Sequence, residues 1–412
     1  MEGNRAQRRA RLLVLGAGPA QLGLLAAARR SDLFVIAVDR DPAAPGFRYA
    51  DRRAIISAED EQAVEHLASA DPVDGVIAPG IDWPVAIAAR VAERLGIAHP
   101  LTVEAALVAT SKRRQRERFA EAGVPQPRYA VCSSPGEAAE AAAHVGYPCV
   151  VKPIDRQGQR GLTMADSPAA VEAAVEEALR ESRSGVVLVE ELVDGPEVTV
   201  NGFSVQGRFH PLTVTDRILA EPPAFGVALA HVWRSSLAPE AVGAAVEAAA
   251  AAAAAVGITD GPTYTQLRIG SEGPRVGELA ARLGGGHDAE LCAAALGVDL
   301  NGLALAAVLG EDLPDRALLP VERSGGACVQ FLVAQPGELR SVEGADEARA
   351  LDGVVDVRLY RRPGHRFVEL RRGADRAGAV IVVGASREEA LERAARAAEC
   401  IRFETVVEAV VH

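Results

Sequence analysis

The stretch from Gly261 to Gly286 reads as a hairpin that carries a site. Tyr264 to Ile269 can run as a strand, Ser271 to Pro274 carries turn chemistry, and Arg275 to Ala281 can return antiparallel, so alternate side chains share one face of a hairpin. Gln266 and Glu278 fall on that face. An amide oxygen and a carboxylate meeting across two strands, followed by Arg282 and the glycines Gly284, Gly285 and Gly286, suit a magnesium ion that holds nucleotide phosphates. The competing reading is a purely structural hairpin, because cross-strand polar pairs are common.

At 412 residues the chain is too long for one core, and roughly 100 to 200 residues per domain predicts two to four domains. A net charge of −12 argues against a nucleic-acid surface, which needs clustered Lys and Arg. The basic run Lys112 to Arg118 is the exception, and for most of its residues a solvated helix face is the expectation. Cys132, Cys149, Cys292, Cys328 and Cys400 are scattered with no C-x-x-C pair, which fits a reducing compartment, with the cytoplasm as the expected location. The apolar run Leu12–Leu15 breaks at Gly16 and so reads as a strand rather than a secretion signal. No run approaches the roughly 18 apolar residues of a membrane span, and the alanines from Ala248 to Ala255 read as part of a helix between Pro239 and Gly257.

The chain opens as a βαβ unit, with Arg11–Leu15 and Phe34–Asp39 as strands around a helix from Ala20 to Arg30. Gly16-x-Gly18 at a helix start and Asp39 at the next strand end permit a dinucleotide reading, which Gln21 at the third glycine position weakens. Val73–Ala78 and Ala98–Pro100, with helices Glu61–Ser69 and Trp83–Leu95, continue an open parallel sheet. Asp82 and Trp83 lie just past a strand end, either at a ligand or at a capped helix start.

Near Ala109 the composition shifts. Thr110-Ser-Lys112 caps a helix reaching Ala122, and Gly123-Val-Pro125 connects onward. Pro148–Lys152 is a strand that ends in a lysine and leads into the loop Gln157, Gly158 and Gly161, which offers a point charge and free amides to phosphate. It is not a Walker loop. Val186–Glu190 and Glu197–Val200 are strands either side of a hinge that can lay backbone against an adenine edge, with Glu197 accepting from ribose hydroxyls.

In this order and spacing, the segments resemble the ATP-grasp superfamily of carboxylate-amine ligases, over roughly Arg11 to Glu404. The resemblance implies α/β and α+β classes: an N-terminal open parallel α/β (pre-ATP-grasp) domain at 1–109, an ATP-grasp domain at 110–320 with a lid at about 128–188, and a C-terminal α+β domain at 321–412. It implies that Lys112, Lys152, Gln157, Gly158, Gly161, Glu190, Leu192, Val193 and Glu197 bind ATP. By the same match Gln266 and Glu278 hold magnesium, with manganese as a substitute, and Lys152 and Arg282 act in catalysis. Arg282, Gly284, Gly285, Gly286 and His287 fall at the substrate end, where His287 either meets substrate or caps the next helix.

Two positions depart from the family pattern. Ala280 stands where an asparagine usually follows the central glutamate, which puts the second metal in doubt, and Gln266 stands where an acid is usual. The glutamine is similar to the carbamoyl-phosphate synthetase pattern, and Glu-x-Ala-Ala-Arg282 is similar to bacterial L-amino-acid ligases. Cys328–Leu332, Pro336–Leu339, Gly353–Val357, Arg362-Pro-Gly364, Asp375–Gly378 and the helix Ser386–Ala398 resemble the last domain of those ligases, expected here to pack and close on substrate.

The function implied is ADP-forming ligation of a carboxylate to an amine through an acyl phosphate. Positioning and charge neutralisation do most of the work in phosphoryl transfer. Partners are then small molecules, without nucleic acid or membrane, and the resemblance implies a homodimer. A bicarbonate-using carboxylase or carbamoyl-phosphate enzyme, an NAD-dependent oxidoreductase and a non-catalytic ATP-binding scaffold stay open. Loops such as Pro222 to Trp233 are expected to select the substrate.

Overall fold

The computed structural model describes residues 8–156, 159–222 and 224–407. Gln157 and Gly158 of the expected glycine loop lie outside the described residues. The chain is of mixed α/β and α+β class, and its described residues form four sheets.

The N-terminal sheet is parallel, in the order Arg52–Ala54, Phe34–Val38, Arg11–Leu15, Gly75–Ile77. Leu12, Leu13, Val14 and Leu15 are all fully buried, which explains a continuous apolar run instead of an alternating one. Arg52–Ala54 carries no apolar run because it is an edge strand whose arginines face solvent. Ala98–Pro100, expected to extend the sheet, is irregular: Pro100 has no N–H for a ladder, and the Leu101 N–H turns back to His99 Nδ1 at 3.2 Å.

The second sheet is antiparallel, in the order Tyr129–Cys132, Val187–Glu191, Cys149–Pro153, Thr163–Ala165. Helices Pro135–Val145 and Pro168–Glu181 pack on the face bearing Cys149, Val151, Val187 and Val189. Strand alternation therefore turns Val150, Lys152, Leu188 and Glu190 to the opposite face. That face looks onto the third sheet.

The third sheet has eight antiparallel strands: Gly273–Ala280, Gly261–Gly270, Glu197–Val205, Arg208–Leu219, Ala228–Trp233, Gly326–Leu332, Gly378–Gly384 and Val354–Leu359, in spatial order. It passes position 320 without a break, because Ala230 pairs with Gln330 and Trp233 with Ala327. The hairpin expected from the sequence forms its edge. Gln266 lies directly opposite Glu278, and the register then shifts so that Leu267 faces Val276, leaving Gly277 as the extra residue of a bulge. The turn is tighter than expected, with only Ser271 and Glu272 between the paired Gly270 and Gly273.

A fourth, three-stranded sheet joins Arg366–Phe367, Gly337–Glu343 and Arg402–Val406. Helix Pro239–Val256 ends on Gly257 in the left-handed conformation at φ 84°, as its sequence predicts. By length and composition that helix is apolar enough to cross a membrane, contrary to the expectation of no such run. Its alanines supply the hydropathy, and Ala245, Ala248, Ala249, Ala252 and Ala253 are buried in the core with Val276 and Leu279 of the hairpin.

Candidate active site

A cavity of about 570 Å³ opens between the three larger sheets, and its wall is drawn from both ends of the chain as well as the middle. Lys112, Lys152, Glu190, Leu192, Val193, Glu197, Gln266, Glu278, Arg282, Gly285 and Gly286 all line it. Among the described residues twelve Lys or Arg against seven Asp or Glu line this one space, so a chain of net charge −12 presents a basic cavity. Such a field concentrates anions.

The two lysines are held on carboxylates. Lys112 Nζ lies 2.8 Å from Glu278 Oε1 and donates to the Arg156 carbonyl at 2.8 Å. Lys152 Nζ lies 2.5 Å from Glu190 Oε2, and Arg116 Nε lies 2.6 Å from Glu190 Oε1. Burial alone would raise the Glu190 pKa, but Arg116 and Lys152 together hold it down at about 2. Burial likewise opposes ionisation of Glu278, and Lys112, Lys152 and Arg282 together outweigh it, keeping the carboxylate below its usual range. Burial lowers the Lys152 pKa despite Glu190.

Leu192 and Val193 form the hinge between the strands Val187–Glu191 and Glu197–Val205. Glu197 is ion-paired with Arg217 and lies 3.6 Å from Arg268 Nη2. Arg282 is clamped on Asp82, with Nε at 2.7 Å and Nη2 at 2.6 Å from Oδ1, and its guanidinium carbon sits 5.6 Å from the Tyr264 ring centroid. Asp82 therefore stands at a helix start without capping it through its side chain.

Three expected site residues do not line the cavity: Gly161, Gly284 and His287. A Cβ on Gly161 would meet Pro153 and Glu181 at 3.0 Å, and one on Gly284 would lie 2.2 Å from Asp288 Oδ2, so both glycines serve close packing. The His287 ring is buried behind the wall, with Nε2 2.5 Å from the Tyr360 hydroxyl and Nδ1 2.9 Å from an Arg358 nitrogen. Burial and then the Arg358 charge push its pKa down to about 4, so it is neutral at neutral pH. Nor does its side chain cap the following helix; its backbone supplies a left-handed turn at φ 62°.

The dinucleotide reading loses its acid. Asp39 Oδ2 accepts from the Ala17 N–H at 2.9 Å and Oδ1 from the Asp41 N–H at 3.0 Å, so the carboxylate ties its own loop together. Gln21 folds over the glycine turn, its Cδ 3.0 Å from where a Cβ of Gly16 would stand, and donates to the Pro79 carbonyl at 2.6 Å.

Several lining residues escaped the sequence reading. Tyr360, Arg361, Arg372 and Arg376 reach the cavity from the C-terminal segment, and Arg376 stacks 3.6 Å from the Phe331 ring centroid. His231 belongs to the strand Ala228–Trp233, within a stretch expected to be loop, and its Nδ1 lies 2.9 Å from Asp288 Oδ1. The signal for His231 was its strand alternation next to Val232. Nothing local distinguished the arginines.

Comparison with known proteins agrees with this geometry. The model of the ATP-grasp domain matches residues 145–290, which hold Lys152, the hinge and the hairpin. The formate-dependent phosphoribosylglycinamide formyltransferase of Burkholderia vietnamiensis is 30% identical over 405 residues, 95% of each chain. The chain belongs to the ATP-grasp family. It is an ATP-dependent carboxylate-amine ligase of that family. Residues 330–406 match the model of the L-amino acid ligase C-terminal domain 2. The uncharacterized protein y4rH of Sinorhizobium fredii is 33% identical over 71% of this chain, which spans 60% of that protein's length. The ATP-grasp fold also superposes on the L-amino acid ligase from Bacillus licheniformis with a TM-score of 0.81 at 21% identity, covering 97% of this chain and 100% of that one.

The ATP-grasp hairpin fits a magnesium ion shared with substrate. Gln266 and Glu278 offer hard oxygen donors side by side, and the Lys112 ammonium already rests on Glu278 as a cation would. Among the described residues no three His, Cys, Asp or Glu side chains gather into a self-sufficient metal site. Phosphate oxygens are the natural source of the remaining ligands.

Proposed function

We propose that this ATP-grasp protein joins an amino acid, or a similar small acid, to an amine, releasing ADP and phosphate. The observation that carries the reading is the convergence of Lys112, Lys152, Glu278 and Arg282 in one cavity that runs from the hinge at Leu192 to the glycines at 285 and 286. In the first step a substrate carboxylate oxygen attacks the γ-phosphorus of ATP, the β–γ bond breaks, and an acyl phosphate and ADP result. In the second an amine nitrogen attacks the acyl carbon, the C–O bond to phosphate breaks, and one proton leaves the nitrogen. Lys152 and Lys112 neutralise phosphate charge, and Arg282, held on Asp82, faces the charge that builds on the transferring group and then on the tetrahedral oxygen. Gln266 and Glu278 would hold magnesium, which supplies further neutralisation of the phosphates.

The proton needs an acceptor at the substrate end, and His231 is placed for it. Asp288 orients the ring through Nδ1, while Nε2 has no hydrogen-bonding partner among the described residues and the ring lines the cavity. His231→Gln is expected to slow amide formation by on the order of 10² to 10³. Hydroxamate formation with hydroxylamine, a nucleophile already unprotonated at neutral pH, should persist in that variant. Equal loss of both reactions would remove His231 from the proton path.

The family assignment leaves the acid and the amine to be found by turnover. The decisive measurement is phosphate release across a grid of amino-acid pairs, with mass spectrometry of products and nucleotides. Formate with phosphoribosylglycinamide belongs in the grid, because the relative of 30% identity carries that activity in its name. ADP with a hydroxylamine-trapped hydroxamate is the expected result. AMP and pyrophosphate would sink the acyl-phosphate route.

A further inference from the structure

The two lysines of the cavity are held differently. Lys112 rests on Glu278, and among the described residues no other cation lies within ion-pair distance of that carboxylate. Glu190, by contrast, is shared: Lys152 takes Oε2 at 2.5 Å and Arg116 takes Oε1 at 2.6 Å. All three members of this second group are nearly sequestered from solvent, at 8% exposure for Lys152, 4% for Glu190 and 2% for Arg116. Arg116 does not line the cavity, and its other nitrogens donate to the Val276 carbonyl at 3.0 Å and the Gly277 carbonyl at 2.6 Å.

The difference matters when phosphate arrives. A lysine that turns from its carboxylate to phosphate leaves that carboxylate behind, and a buried charge without a partner is strongly unfavourable. Glu278 has a new partner at hand, since it fits the incoming magnesium. Glu190 sits on the other sheet and needs a cation that stays. We propose that Arg116 is the resident counter-ion of Glu190, a positioning residue that lets Lys152 move to nucleotide phosphate without stranding a buried carboxylate. Because the same guanidinium grips the backbone at Val276 and Gly277, it also ties the strand Val187–Glu191, which carries Glu190, to the strand bearing Glu278. The inference rests on the nucleotide reading of the cavity.

The test is the affinity of the full-length chain for a magnesium–ATP analogue with a non-hydrolysable β–γ bridge, measured by calorimetry. With Arg116→Gln, Lys152 becomes the sole partner of Glu190, and the dissociation constant should rise by on the order of 10². Adding Glu190→Gln removes the carboxylate that holds Lys152, so the double variant should regain most of the lost affinity. A double variant as weak as Arg116→Gln would overturn the proposal, because it would show that Arg116 matters only for the carbonyls of Val276 and Gly277. Should Arg116→Gln fail to fold, Glu190→Gln alone decides: release of Lys152 should tighten nucleotide binding several-fold, and weaker binding overturns the proposal. Wild-type protein that does not bind the analogue would overturn the nucleotide reading and the proposal together, whereas wild-type binding without rescue removes the proposal alone.

Discussion

Lys152→Ala is expected to lower phosphate release by on the order of 10² to 10³ in a protein that remains folded. The rate should fall because the strand Cys149–Pro153 loses the ammonium proposed to clamp phosphate. The fold survives because Glu190, although buried, keeps its bond from Arg116 at 2.6 Å. Urea denaturation beside the phosphate assay checks both halves. Wild-type turnover in the folded variant would take Lys152 out of the site.

Glu278→Gln is expected to cost at least about 10² in turnover, since it removes the hairpin carboxylate that lines the cavity, the one proposed to meet phosphate and metal together. Gln266→Glu should retain substantial activity, because it keeps an oxygen at the same cross-strand position and adds charge. Gln266→Leu should fall between them. Magnesium should bind the empty protein weakly and the ADP-loaded protein well, because in the empty site Lys112 occupies Glu278 and the protein donors are few. Calorimetric titration of magnesium with and without ADP reads this without turnover. Wild-type activity in Glu278→Gln at every magnesium concentration would mean that the hairpin is structural and the metal lies elsewhere.

The sequence was most legible where a local rule ties neighbours together. Strand period and turn chemistry put Gln266 opposite Glu278, whereas the register that brings Lys152 and Glu190 to one face joins strands far apart in the chain. Arg116 was missed although the pattern held it: Lys112, Gln115, Arg116 and Phe119 fall at helical spacing, and Phe119 marks that stripe as the buried one. His287 looked like a ligand because it follows three glycines, but a left-handed backbone turns its ring toward Tyr360 and Arg358. The arginines at 361, 372 and 376 reach the cavity through strand order in the large sheet, which no local pattern encodes.

That sheet order bears on how substrate choice can be re-engineered. A chimera joined at position 320 would look natural by sequence, with nucleotide machinery from one parent and the C-terminal wall from another. Residue 320 itself lies in an irregular segment, yet Ala228–Trp233, which carries His231, pairs directly with Gly326–Leu332, so the two blocks are joined through a hydrogen-bonded ladder. Removing the last segment would bare a long apolar strand edge to intermolecular pairing. Swapping it would require the incoming strand to match the side-chain alternation of the old one, or the wall bearing Tyr360 and Arg376 would be displaced relative to Arg282. In recombination terms the exchangeable block is the strand pair, with both partners inherited from one parent.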